Sequence, residues 1–323
     1  MPAVPAVRLN SGYDMPMLGL GTWKIEKIDT FNAVRNAIRA GYRHVDTSVI
    51  YENLEEVGRA IRQSIGEGSV RREDLFITSK LWATFHRRDL VEKGLDDTLD
   101  KLGLEYLDLW IMHTPFALQP GKKLSPYKDI TSETWEVDDV GPLETWLAME
   151  NLVQTGKVKS IGLSNFNRTQ AETILDHCTI KPAVMQNECH PWFNQEGLRK
   201  WCESNRITMV AYSPLGSPNR PTHNADDPVL MEDPVIVRIA KEYNKTTAQI
   251  ILRYSIQRGV VVIPQSKNCR RMSSNIRIFD FELSEKDMED IRCLEKGFPY
   301  GFLQFKLFNA AIKSKYYPFN GDF

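Results

Sequence analysis

No run of the 323 residues stays apolar for the ~18 positions that a membrane-spanning helix requires, so nothing in the sequence asks for a bilayer. Neither sign of charge prevails. The 41 Lys and Arg are interspersed with 42 Asp and Glu, and a net charge of -1 offers no basic face to nucleic acid or to an anionic membrane. The five cysteines, Cys178, Cys189, Cys202, Cys269 and Cys293, are odd in number and form no Cys-x-x-Cys pair. That spacing indicates neither a zinc knuckle nor a disulfide framework and suits a reducing compartment. The opening MPAVPAVRLN has no basic start and no apolar core, so a secretory leader is not expected and a cytoplasmic protein is. Dinucleotide and phosphate-loop signatures are also missing: Gly19-Leu20-Gly21 and Gly66-Glu67-Gly68 each lack the third glycine, and no GxxxxGK[ST] occurs. Nor is there a fixed-period repeat or a low-complexity segment.

What is present is a rhythm. Apolar, β-favouring runs at 42–46, 75–79, 106–112, 158–162, 183–187, 207–212 and 260–264, with the Gly-rich stretch 18–23 ahead of them, make eight candidate strands. Helical patterns alternate with them near 29–40, 52–64, 89–102, 142–155, 167–176, 195–204 and 246–258. Alternation argues for a parallel α/β sheet, and the count argues for closure into a (β/α)8 TIM barrel over an open doubly wound sheet. Residues 7–9 and 15–17 flank the turn Asn10-Ser11-Gly12, an expected amino-terminal β-hairpin. With 42% apolar and 26% charged residues the chain can bury a large core, and one barrel domain over residues 1–323 is expected.

Ionisable residues gather at matching strand ends. The stretch 41–58 reads as a short buried strand, a turn carrying Asp46 and Tyr51, and a helix with Leu54, Val57 and Ile61 on its apolar stripe. The next two apolar runs end at Lys80 and at His113. In an α/β barrel that edge is where catalysts collect, because the loops vary while the strands hold. A phenol with an ordinary pKa of roughly 10 is too weak an acid at neutral pH unless a cation stabilises its anion. Lys80 supplies such a cation, Asp46 can hold it, and a neutral His113 can orient a substrate oxygen. Each residue alone has a plainer reading: a capping Asp, a core-edge Tyr, a solvated Lys, a structural His. Four together at consecutive strand ends point to a machine for protonating a carbonyl oxygen.

Long polar segments at 116–141 and 213–234 follow strands on that same face, as expected of lids or insertions. The terminal 297–323, with six Phe and three Tyr, is too apolar for a solvated tail and is expected to cross the barrel mouth. Glu188-Cys189-His190 offers metal-ligand types without spaced partners, a weak metal signal. Trp23, Trp82 and Trp192 suit either an aromatic pocket or the core, and Trp192 is assigned to the core.

The strings GYRHVDTSVIYENLEEVG, FITSKLW, LDLWIMH, GKVKSIGLSNF, IKPAVMQNECHP, ITMVAYSPLGSPNRP, NKTTAQIILR and KYYPFNGDF resemble the aldo-keto reductase superfamily, nearest its aldose/aldehyde (xylose) reductase branch. The resemblance runs from Gly19 to Phe323. It implies NAD(P)H-dependent reduction of an aldehyde or ketone, NADPH being the expected cofactor and NADH possible, by a monomer acting on a small carbonyl compound. Carried over by position, Tyr51 is the proton donor, Lys80 and Asp46 tune it, and His113 orients the carbonyl. Thr22, Trp23, Asp46, Ser164, Asn165 and Gln186 are implied around the nicotinamide, with Tyr212 stacked on it. Ser213, Leu215 and Ser217 are implied at the pyrophosphate, and Gln265, Ser266, Lys267, Arg271 and Asn275 at the adenosine end. Trp23, Ile50, Trp82, His113 and Thr114 are implied at the substrate. Two positions depart from the family pattern. Gln265 stands where relatives carry the Lys that pairs with the 2′-phosphate, with Lys267 two residues on, and Thr114 stands where they carry an aromatic. Two other readings are a Schiff-base aldolase with Lys80 as nucleophile and a non-catalytic, nucleotide-binding relative.

Overall fold

The computed structural model describes residues 4–121, 136–218, 226–297 and 309–320. The middles of the two long loops, 122–135 and 219–225, and most of the segment expected across the barrel mouth, 298–308 and 321–323, lie outside the described residues.

Eight parallel strands form the centre: β3 (Leu20–Gly21), β4 (His44–Asp46), β5 (Phe76–Leu81), β6 (Leu109–Met112), β9 (Ile161–Ser164), β10 (Val184–Glu188), β11 (Thr208–Tyr212) and β12 (Val261–Val262). They pair in chain order, and the sheet closes because Leu18 pairs with Val262 and Gly21 with Gln265. The seam carries backbone hydrogen bonds from Gly19 N to Val262 O at 2.9 Å and from Val262 N to Met17 O at 3.0 Å. This is the expected (β/α)8 barrel. The expected hairpin is β1 (Ala6–Arg8) with β2 (Asp14–Pro16), antiparallel, Val7 opposite Met15. The excursion after β6 begins and ends in a second two-stranded ribbon, β7 (Ala117–Leu118) and β8 (Val137–Asp138).

Around the barrel run α1 (Lys27–Arg39), α2 (Leu54–Gly66), α3 (Arg88–Leu102), α4 (Pro142–Gln154), α5 (Arg168–Leu175), α6 (Glu196–Ser204), α7 (Pro234–Glu242), α8 (Thr247–Gln257), α9 (Cys269–Asn275), α10 (Glu285–Arg292) and the short α11 (Asn309–Ile312). Strand alternation sorts the side chains. Val45, Ile77, Trp110, Met112, Leu163, Met185, Met209 and Val262 join the core beneath the helices. Phe76, Leu109, Ile111, Val184, Val210 and Val261 form a second cluster with Leu9 and Met15, so the hairpin plugs the amino-terminal end of the barrel. Glycine is required where backbones or rings crowd. A methyl on Gly58 would run into the Leu102 carbonyl at the α2–α3 contact, and one on Gly19 would overlap the His44 ring.

Several boundaries differ from those read in the sequence. The strand at 75–79 extends to Leu81, so Lys80 lies inside β5 and not beyond it. The run at 106–112 is strand only from Leu109, and the run at 158–162 only from Ile161. Helices α7, α9, α10 and α11 are additional. α7 was hidden because Asp233-Pro234 reads as the end of a loop, whereas Asp233 caps Val235 N at 3.0 Å and Pro234 opens the helix. Trp192 packs in a separate core cluster with Ile236, Ile250 and Tyr254, in keeping with its assignment to the core.

Among the buried histidines, His44 lies on β4, His86 just past the turn that follows β5, and His113 one residue past β6. Burial is the main cause of their lowered pKa values, about 4 for His44 and about 3 for His86, with His113 also well below 6.5. Each is therefore neutral in the fold, while the unfolded chain takes up protons near pH 6.5. Their contribution to stability is complete above that pH and is lost as pH falls from about 6.5 toward the folded values, each at up to about 1.4 kcal/mol per unit. Urea unfolding at pH 7.5, 6.0 and 5.0 is expected to give a steep decline below pH 6.5, and a flat profile there would contradict neutral burial.

Candidate active site

The carboxyl ends of β4, β5 and β6 bring the four expected side chains to one place. After Asp46 the chain makes a 3-10 turn over Val49–Tyr51, closed by Tyr51 N to Ser48 O at 3.1 Å. The turn returns Tyr51 over the barrel, half-buried, with Glu52 in the left-handed region at φ 56 before α2 begins. The Lys80 ammonium is 1% exposed and donates to Asp46 Oδ1 at 2.5 Å and to the Thr47 carbonyl at 3.0 Å. It lies 5.2 Å from the centroid of the Tyr51 ring. Burial lowers the Lys80 pKa, and the Asp46 carboxylate pulls it back up. A buried ammonium survives only when paired in this way.

The His113 ring stands edge-on to Tyr51 and to Trp82, with centroids 6.1 and 5.4 Å away. Its pKa is depressed first by burial, then by the Lys80 charge and by His86, which keeps the imidazole neutral. A neutral ring offers one donor and one acceptor. Its backbone carbonyl accepts from Asn165 Nδ2 at 2.8 Å.

Residues from β9, β10 and β11 join the same network. Gln186 Nε2 donates to Asp46 Oδ2 at 2.9 Å, so both carboxylate oxygens of Asp46 are used. Tyr212 donates to Asn165 Oδ1 at 2.6 Å, and Asn165 Nδ2 also reaches Ser164 Oγ at 3.1 Å. Thr22, fully buried, donates its hydroxyl to the Asp46 carbonyl at 3.0 Å. Ser213 and Ser217 hydrogen-bond to each other at 3.1 Å, with Leu215 half-buried between them. Trp23 is half-buried and Ile50, Trp82 and Thr114 are buried; the Thr114 hydroxyl donates to the Phe116 carbonyl at 2.8 Å.

Three residues implied at the cofactor adopt left-handed backbone without being glycine: Asn165 at φ 63, Ser213 at φ 50 and Ser217 at φ 45. Strain of that kind concentrates where function demands it. A carboxamide needs one donor and one acceptor facing it. Gln186 Oε1 makes no hydrogen bond among the described residues, and the Ser164 hydroxyl accepts from Asn165 with its own proton uncommitted. These two groups fit a nicotinamide carboxamide.

The adenosine end is less complete. Gln265 is exposed beside the barrel seam, Ser266 is buried and donates to the Asn268 carbonyl at 3.3 Å, and Asn275 is buried at the end of α9. Arg271 is exposed, and its guanidinium has no ion pair among the described residues. Lys267, two residues past the place where relatives carry the cation, pairs with Asp29 of α1 at 2.7 Å. Asp29 draws it because the two side chains meet across the α1 face.

Four further residues shape the site without having been singled out in the sequence. Asn53 ties Thr22 O and Ile25 O at 3.0 and 3.1 Å, and Asn187 accepts from Asn165 N at 2.9 Å. His86 is buried beside His113, and Ser48 contacts the His113 ring. Ser48 and Asn53 flank Tyr51 within the same strand-end stretch, the one signal that could have found them. Glu188 and His190 hydrogen-bond to each other at 3.2 Å, and among the described residues no group of three or more His, Cys, Asp or Glu could hold a metal. The described carboxyl-terminal residues dock on the rim, where Asn167 and Gln170 donate to the carbonyls of Pro318 and Tyr316, both at 2.9 Å.

Comparison with known proteins gives a match to the family model described as "Aldo/keto reductase family" over residues 17–296. Aldo-keto reductase family 1 member A1 of Xenopus tropicalis is 44% identical over 299 residues, covering 92% of this chain and 91% of that protein. Aldo-keto reductase family 1 member C3 of Homo sapiens is 44% identical over 300 residues, with 91% and 92% covered. Prostaglandin-E(2) 9-reductase of Oryctolagus cuniculus is 43% identical over 328 residues, with 100% and 99% covered.

Proposed function

Since the chain belongs to the aldo/keto reductase family, whose members are NADP-dependent oxidoreductases that reduce carbonyl groups, we propose that Asp46, Tyr51, Lys80 and His113 perform that reduction here. The single observation that carries the assignment is the buried Lys80–Asp46 pair set 5.2 Å from the Tyr51 ring. NADPH, when bound, supplies a hydride for the carbonyl carbon. Tyr51 then gives its phenolic proton to the carbonyl oxygen, and the nearby Lys80 charge stabilises the phenolate left behind. Asp46 and the Thr47 carbonyl hold Lys80 in position, and the neutral His113 donates a hydrogen bond that aligns the carbonyl. Water restores the Tyr51 proton after the alcohol leaves. Loss of NADPH absorbance against a panel of aldehydes, sugars and ketosteroids tests the reading, and no turnover with any of them would count against it.

Gln186 and Ser164 would hold the carboxamide, Tyr212 the ring, and Ser213 and Ser217 the pyrophosphate. Arg271 and Ser266 would meet the 2′-phosphate, with no Lys at 265 and with Lys267 committed to Asp29. A charge-assisted hydrogen bond contributes roughly 1.5–3 kcal/mol, so each cation is worth about one to two powers of ten in selectivity. NADPH is therefore preferred over NADH by a modest margin, which Gln265→Lys is expected to widen and Arg271→Ala nearly to erase. kcat/KM for both cofactors at low salt measures this; a wild-type preference for NADH, or a ratio untouched by Arg271→Ala, contradicts it.

The substrate wall combines Trp23, Ile50, Trp82 and Thr114, which favours a carbonyl compound with an apolar body. Filling the position of Thr114 with Trp is expected to reorder the ranking of aldehydes and ketones by at least about tenfold while cofactor affinity holds. An unchanged ranking would remove Thr114 from the pocket. The composition and the five cysteines, free among the described residues, support a cytoplasmic protein with no nucleic-acid partner, and the family supports a monomer acting on a small molecule. Among the described residues no helix is long and apolar enough to cross a membrane.

A further inference from the structure

Ser48 lies two residues beyond Asp46 and three before Tyr51, fully buried. Serine at that place, just ahead of the 3-10 turn at Val49–Tyr51, would ordinarily cap the turn, but its side chain makes no capping hydrogen bond. Its Oγ lies instead 3.2 Å from Nδ1 of His113, the one partner it has among the described residues. A buried hydroxyl that fails to donate leaves an unsatisfied O–H, which costs more than an unused lone pair. With a single acceptor in reach, the hydroxyl donates. Nδ1 must then carry the lone pair, and in a neutral imidazole the ring proton sits on Nε2. Nε2 has no partner among the described residues, and His113 retains 8% exposure, so this nitrogen is the one available to a substrate.

We propose that Ser48 is a positioning residue, whose buried hydroxyl donates to His113 Nδ1, holds the imidazole in its Nε2–H tautomer and so leaves an N–H facing the substrate carbonyl oxygen. The proposal rests on the assignment of His113 as the group that aligns the carbonyl, and it deepens that assignment. Without the hydroxyl, the ring is free to place its proton on Nδ1 and present a lone pair to the carbonyl oxygen, which repels it. The remaining ring contacts, the edge-on faces of Tyr51 and Trp82, do not distinguish one nitrogen from the other.

The test uses the full-length enzyme labelled with nitrogen-15 histidine, the His113 signals being assigned by difference from His113→Gln. In the wild type Nδ1 is expected to be unprotonated and Nε2 protonated. In Ser48→Ala, which removes one oxygen from a packed site, the pattern is expected to shift toward protonated Nδ1. kcat/KM for carbonyl reduction is expected to fall by roughly three- to tenfold, the worth of one hydrogen bond, with NADPH affinity unchanged. Ser48→Thr is expected to restore both, since the backbone here, φ -162 and ψ 152, is extended and suits a β-branched residue. A protonated Nδ1 in the wild type overturns the proposal. So does a Ser48→Ala enzyme with an unaltered nitrogen pattern, whatever its stability, or with unaltered catalysis. If the wild type reduces no carbonyl compound at all, the proposed function fails, yet the nitrogen pattern still decides whether Ser48 sets the tautomer.

Discussion

Tyr51→Phe is expected to lower carbonyl reduction by about 10²–10⁴-fold, the usual contribution of a positioned acid, and to leave NADPH affinity nearly unchanged. The substitution deletes one oxygen and its proton. The ring still packs against the core and still presents its edge to His113. Lys80 is not expected to take over, because it is held by Asp46 Oδ1 and the Thr47 carbonyl and its nitrogen is buried. His113 is unable to give a proton outright, since burial and the Lys80 charge keep it neutral well into acid. Steady-state rates with a saturating aldehyde, beside cofactor titration by fluorescence, measure the effect; activity within a few-fold of wild type would remove Tyr51 from the chemistry.

The second large effect falls on stability. Lys80 and Asp46 are 1% and 2% exposed and 2.5 Å apart at their charged atoms. Removing one partner strands the other charge inside the barrel at a cost of about 3–5 kcal/mol, whereas removing both spares most of that penalty. Lys80→Met and Asp46→Asn are each expected to lower the urea midpoint sharply, and the double variant to be less destabilised than the two effects added. Gln186 enters the outcome, since its Nε2 loses a charged acceptor when Asp46 becomes Asn. Additive losses would mean that the two groups do not hold each other. Every one of these variants is expected to lose reduction, because each disturbs the cation beside Tyr51.

The barrel and the meeting of the four proposed catalytic side chains were legible because both are written in local patterns. Apolar runs alternate with helical stripes, and Asp46, Lys80 and His113 stand at or near the ends of three successive runs, where the fold itself forces them together. What was not legible depends on contacts between distant segments. Lys267 returns to the same face as Gln265 in an extended chain, yet Asp29, 238 residues away in sequence, captures it. Helix α9 has seven residues, too few for a clear period, and depends on Asn268 capping Arg270 N and Arg271 N. Lys80 falls within β5 because the strand register with β6, Lys80 opposite Ile111, outlasts the apolar run. Ser48 is marked in the sequence only by its place beside Tyr51. A serine in a turn is ordinary until the ring of a histidine 65 positions on is seen against it.

The most direct measurement follows deuterium from NADPH labelled at its transferable position into the product of an aldehyde that the enzyme turns over. Label is expected on the carbon of the new alcohol with the wild type, with solvent supplying the hydrogen on oxygen, and almost none is expected with Tyr51→Phe in the same time. Transfer undiminished in Tyr51→Phe, or a wild-type product free of label while borohydride with the carbonyl compound traps Lys80, would contradict reduction at the Asp46, Tyr51, Lys80 and His113 site.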